Sequence, residues 1–128
     1  MITEDYCSFE VAKLLKEKKF DELCIFKYNY EGIRMKAGVA IDEWQNSELD
    51  DDEYSCVSHQ MAMKWLREVH GLSVETFSIK GTSNIYPVFW KGNVVKLLTQ
   101  DHAFSGELVG SYEEAVEEAI KYCLENLI

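Results

Sequence analysis

Apolar positions along this chain recur at two spacings, and the spacings mark its elements. Phe9, Ala12, Leu15 and Lys16 fall on one helical stripe, with Val11 and Leu14 beside it. Ser8 ahead of them has the hydroxyl of an N-cap, and Glu10 suits the positive end of a helix, so a helix is predicted over Phe9–Lys18. The period then shortens. Cys24–Tyr30 is rich in strand formers, Glu31-Gly32 reads as a turn, and Ile33–Ile41 reads as the returning strand of a hairpin. Asp42–Ser55 is a polar, acidic loop that contains Trp44 and Tyr54.

A second helix is predicted over Ser58–His70, with Ala62, Trp65, Leu66 and Val69 as its buried face and Gly71 as its C-cap. Leu72–Lys80 alternates as a strand, Gly81–Asn84 turns the chain, and Ile85–Trp90 returns, with Pro87 placing that strand at an edge or marking its start. Gly92-Asn93 is a further turn before a strand over Val94–Thr99, and a loop holding Asp101, His102 and Gly106 follows. Phe89, Trp90 and Tyr86 form an aromatic sheet face in this reading. Ser111-Tyr112-Glu113-Glu114 is a capping box for a final helix. Its apolar stripe is Tyr112, Ala115, Val116, Ala119, Ile120, Cys123, Leu124 and Leu127, opposite a wet face of glutamates and Lys121.

The predicted order is α-β-β-α-β-β-β-α. Hairpins interrupted by helices make an α+β fold, an antiparallel sheet with helices packed on one side, in one domain spanning 1–128. Lys13–Glu17 and Lys64–Glu68 align at an offset of 51, each late in a helix that precedes two strands. An α-β-β duplication over 8–41 and 58–91, followed by the C-terminal helix 111–127, accounts for this. Independent amphipathic helices that converge on the same letters account for it too.

Charge narrows the function classes. The chain of 128 residues carries 23 acidic and 13 basic residues, a net charge of −10. Seven acids and no bases lie between Asp42 and Glu53, and the final helix adds five glutamates. Affinity for nucleic acid comes largely from Lys and Arg displacing phosphate counterions, so nucleic-acid binding is not expected. The α-β-β-β-α order from Ser58 to Leu127 matches that of double-stranded RNA-binding domains, but the final helix is acidic where those domains need bases. With 47% hydrophobic and 12% aromatic residues the chain has a core to bury, which excludes disorder. No apolar run approaches the roughly 20 residues that span a bilayer, so no membrane partner is expected. Met1–Asp5 has neither a basic n-region nor an apolar h-region, so a cytoplasmic protein with reduced, mostly buried cysteines is expected.

Candidate chemistry is sparse. Cys56-x-x-His59 could form half of a zinc site, but Cys7, His70 and His102 stand alone in sequence, so no metal is expected. The same pair could serve as nucleophile and base, yet no third group or oxyanion motif accompanies it, so no catalytic residue is assigned. The acidic run Glu48–Glu53 lacks the glycine and the spaced ligands of a calcium loop. No cofactor is implied. Trp44 sits among Asp42, Glu43 and Gln45, where no periodic core demands it: it is either a contact residue or a pin that holds the loop to the sheet.

Three stretches carry a resemblance. Ser8–Glu17, Met61–Glu68 and Ser111–Ala115, with the ending Ala119–Leu124, resemble a group of short uncharacterised proteins of gut Bacteroides-type bacteria and their phages and mobile elements. The resemblance implies a cytoplasmic accessory protein and brings no activity, ligand or site residue. The expectation is therefore a small non-enzymatic acidic protein-interaction module. Trp44, Asp50, Asp51, Asp52 and Tyr54, or an exposed sheet edge, would meet a protein partner or a second copy. The alternatives are a DNA-mimic inhibitor of a DNA-binding protein and an enzyme that uses Cys56 and His59.

Overall fold

The structure, a computed structural model, describes residues 2–38, 43–78, 85–91, 94–97 and 112–128, with the backbone alone described between 75 and 97. The expected ends of the strands at Ile41, Lys80 and Thr99, the turns Gly81–Asn84 and Gly92-Asn93, the loop around His102, the Ser111 cap and the aromatic face of Tyr86, Phe89 and Trp90 lie outside that description. The architecture is α+β. Its elements are α1 (Phe9–Glu17), β1 (Phe26–Tyr28), β2 (Arg34–Lys36), a 3-10 turn (Asn46–Glu48), β3 (Tyr54–Ser55), α2 (His59–His70), β4 (Leu72–Ser78), β5 (Ile85–Lys91), β6 (Val94–Leu97) and α3 (Tyr112–Asn126). The expected order recurs, with the 3-10 turn and β3 inside what reads as loop. The strands form two three-stranded antiparallel sheets, β2-β1-β3 and β4-β5-β6. The chain divides into two compact units, 1–59 and 60–128.

In the first unit Ser8 caps α1, its hydroxyl accepting from the Val11 amide at 3.2 Å. Val11, Ala12 and Leu15 are the buried side of α1. The helix closes on Lys19 with φ 73, and the Phe20 amide reaches back to the Leu15 carbonyl at 2.9 Å. Phe20 is fully buried, which anchors that closure. β1 ends at Tyr28, ahead of the expected Tyr30, because Asn29 starts the turn early. Its Oδ1 accepts from the amides of Glu31 and Ile33 at 2.9 and 3.0 Å. β1 pairs with β2 at Lys27↔Met35 and with β3 at Lys27↔Ser55. The chain beyond β3 then lies antiparallel to the N-terminal segment. Tyr6 bridges Ser58, the Cys7 amide donates to the Val57 carbonyl at 2.8 Å, and the His59 amide donates to the Asp5 carbonyl at 2.9 Å.

In the second unit α2 buries Ala62, Met63, Trp65 and Leu66. Val69, expected on that face, is 59% exposed. The His70 ring packs against Trp65, edge-on at 4.6 Å. Gly71 ends the helix at φ 66 as a C-cap. β4 pairs with β5 from Leu72↔Lys91 to Ser78↔Ile85, and β5 pairs with β6 from Val88↔Leu97 to Lys91↔Val94. Pro87 is thus inside the central strand rather than at an edge or a strand start. The described pairing with β6 runs from Val88 onward. α3 buries Ala115, Val116, Ala119, Ile120, Cys123 and Leu124 and packs on β4 and β5; Tyr112, at the head of its stripe, is exposed. At the offset of 51, Arg34 falls on Ile85, the first residue of β5, while Phe26 falls on Phe77, near the end of β4. None of the described helices is long and apolar enough to cross a membrane.

Gly32 is needed where it stands. Its φ is +78, and a Cβ there would meet the Phe9 ring at 3.3 Å. Gly32→Ala is expected to destabilise the protein by about 1–2 kcal/mol in urea titrations, the cost of a side chain in left-handed backbone. Gly38→Ala is the control, since nothing lies within 4 Å of its Cβ position. An equal loss in both variants would remove the conformational explanation.

Candidate functional site

The first unit gathers the residues singled out by sequence. Residues 43–55 fold back onto α1 and β1, and three anchors hold them. Trp44 exchanges backbone hydrogen bonds with Cys24 at 2.6 and 2.7 Å, and the Lys27 ammonium lies 4.8 Å over the Trp44 ring. Asn46 is buried: its Nδ2 donates to the Phe20 carbonyl at 2.8 Å, and its Oδ1 accepts from the Ser55 amide at 2.9 Å. One side chain therefore ties the end of α1 to β3. Beside it the Ser47 amide donates to Asp21 at 2.7 Å.

The third anchor is charge. Lys16 on α1 donates to the carbonyls of Asp50 and Glu53 at 2.6 and 2.8 Å, so an ammonium fills the inside of the acidic turn. Lys27 pairs with Glu53 at 2.7 Å, both side chains largely shielded. That hydrogen bond holds the Glu53 carboxyl below the ordinary range, against the opposing effect of burial. Tyr54 packs edge-on against Phe9 at 5.6 Å, and Lys16 lies 5.3 Å over its ring. Trp44 and Tyr54 are thus half-buried, and Asp50, Asp51 and Asp52 are exposed on the outside of the turn. Sequence reasoning missed Lys16, Lys27 and Asn46, because Asp50 and Glu53, Glu53, and the Phe20 carbonyl that they respectively bind stand 26–37 residues away and leave no local signal.

The hairpin carries a second feature. Leu23, Ile25, Ile33 and Met35 are 51, 44, 54 and 46% exposed, and Tyr30 at its tip is 67% exposed. Alternation puts Ile25 and Met35 on the same face of the sheet as Lys27. An open depression of about 320 Å³ lies at the end of α1, lined by Lys16, Lys19, Phe20, Asp21, Asn46 and Ser47.

Thiol chemistry has little to work with. All four cysteines are buried and none is in a disulfide. Burial, followed by the neighbouring Cys56 and Glu43, pushes the Cys24 thiol up to about 12, away from the reactive thiolate. Burial also raises the Tyr28 hydroxyl, which donates to the Cys7 carbonyl at 2.6 Å. Cys56 lies three residues ahead of His59, which opens α2, and both are buried. The Cys7 thiol lies near the His59 imidazole, with the two ligand atoms within 4.8 Å. A cysteine and a histidine supply half of a tetrahedral zinc shell. Compared with protein-family models, curated proteins and solved structures, the chain has no match.

Two outcomes follow. Asn46→Ala leaves a buried carbonyl and a buried amide unpaired and should cost about 2–3 kcal/mol in urea unfolding. Asn46→Asp keeps the acceptor but sets a buried carboxylate against the Phe20 carbonyl, so it should lose at least as much; a near-neutral Asn46→Asp would remove the two-bond account. Cys24 titrates near 9.0 when unfolded and near 12 when folded, so the folded state holds the proton longer. Its stabilising contribution is complete below pH 9 and falls as pH rises toward 12. Between pH 8 and 10.5 the wild-type chain should therefore lose about 1–2 kcal/mol more than Cys24→Ala. Parallel losses would mean that Cys24 does not govern the alkaline limb.

Proposed function

We propose that the protein is a small protein-interaction module whose contact surface lies on its first unit. The observation that supports this is the β1–β2 hairpin, where four large aliphatic side chains and Tyr30 stand about half exposed or more. Trp44 and Tyr54 belong to this reading as the struts of the neighbouring loop. Asp50, Asp51 and Asp52 supply the charge that steers and orients a partner. The cytoplasmic, mobile-element or phage setting implied by the resemblance suits an accessory protein of this kind.

The test is a tagged pull-down from the native host's lysate, washed across a salt series and quantified by mass spectrometry. The wild-type chain should retain a protein that the triple variant Asp50→Lys, Asp51→Lys, Asp52→Lys retains several-fold less, with the difference shrinking as salt rises. Retention independent of both the variant and salt would exclude the loop from the contact. Recovery of the bait alone would count against the module itself.

A further inference from the structure

The free side of β2 has a chemistry of its own. Among the described residues β2 is an edge strand, paired with β1 on one side. The Asn29 amide donates to the Ile33 carbonyl at 3.0 Å, and the Ala37 amide donates to the Ile25 carbonyl at 2.7 Å. In an antiparallel ladder alternate residues turn their backbone groups the same way. Residues 33, 35 and 37 therefore face β1, and the amides and carbonyls of Arg34 and Lys36 point to the open edge.

The side chains follow the same alternation. Arg34 and Lys36 share one face, with Ile33 and Met35 on the other. All four are exposed. Arg34 is also held in place: its guanidinium lies 5.0 Å over the Tyr6 ring and 4.9 Å over the Phe26 ring, and those rings meet edge-on at 5.2 Å. A guanidinium held over two aromatic rings is pre-organised to receive a carboxylate. Lys36 follows it at two residues, roughly 7 Å along the strand, the spacing at which an extended partner presents every second side chain.

Charge decides which partner suits this edge. The −10 of the chain does not arise here, since residues 1–41 carry seven acids and seven bases. The local cations sit on β2 itself. A second copy pairing through β2 would set Arg34 and Lys36 against the same cations, and like charges directly opposite destabilise a ladder. We infer that the β2 edge takes an extended segment of another protein by antiparallel strand addition, one in which acidic residues meet Arg34 and Lys36 and alternate with apolar residues that meet Ile33 and Met35. This rests on the interaction-module reading and names the kind of segment bound.

The probe is a labelled ten-residue peptide alternating glutamate with valine and isoleucine, followed by fluorescence anisotropy on the full chain. A peptide with lysine for glutamate and one with its residues in blocks serve as comparators. The glutamate peptide should bind at least tenfold tighter than either. Lys36→Pro removes an amide that points to the open edge and leaves the bonds to β1 in place, so it should weaken that peptide at least tenfold. Should Lys36→Pro disturb the fold, Arg34→Glu with Lys36→Glu is the second variant, and it should reverse the preference in favour of the lysine peptide. Equal binding of the glutamate and lysine peptides, or an unchanged preference in the charge-reversed chain, overturns the inference. So does a homodimer in sedimentation that Lys36→Pro dissociates, because the occupant would then be a second copy. Peptides that do not bind, beside a Met35→Asp variant that still abolishes capture from lysate, would overturn strand addition and leave the module standing.

Discussion

The first unit depends on positive charge placed inside a negative loop. Seven acids between Asp42 and Glu53 repel one another and, left to themselves, favour an extended solvated chain. Lys16 and Lys27 reverse that preference. One ammonium binds the carbonyls of Asp50 and Glu53, and the other binds the Glu53 carboxylate while lying over Trp44. Once the turn is held, Tyr54-Ser55 can pair with Lys27-Tyr28, and the chain that follows β3 can pair with the N-terminal segment. Exposed ion pairs contribute little in general. These two act through carbonyls, a ring and a shielded carboxylate, where water screens less.

The division of labour among the acids follows from this. Glu53 is structural, and its carboxyl sits low because Lys27 hydrogen-bonds it. Asp50 contributes its carbonyl inward, while its side chain and those of Asp51 and Asp52 face solvent. Trp44 and Tyr54 are half-buried against cations and Phe9. Trp44, which sequence left open between contact residue and loop pin, is joined to Cys24 by two backbone hydrogen bonds and covered by Lys27.

Much of the fold was legible because its signals are local. Ser8 caps α1 by reaching three residues ahead, the turn at Gly32 needs a backbone that glycine adopts, and the stripe of α3 repeats every three or four residues. β3 was not legible: two residues in an acidic stretch become a strand only because β1, 26 or more residues earlier, offers its edge. Asn46 reads as an ordinary loop residue, and nothing near it in sequence announces the Phe20 carbonyl it binds. Alternation in Phe26–Tyr28 and Arg34–Lys36 revealed strands but not which face stays uncovered, since that depends on where the rest of the chain goes. Val69, expected on the buried face of α2, is exposed, while His70 packs edge-on against Trp65.

The bridge between Tyr6 and Ser58 sets the order in which this unit can assemble. The helix and hairpin need only near neighbours and can form as soon as they are synthesised. The N-terminal segment has to wait for a partner some fifty residues downstream, so closing the sheet is the long-range, entropically costly step. On the ribosome the β1–β2 hairpin would therefore stand ready while the unit is still unsealed. During that interval Arg34 and Lys36 guard an open strand edge against chance pairing with neighbouring chains. A pair of cations on an edge strand thus matters to the newborn protein before it matters to the finished one.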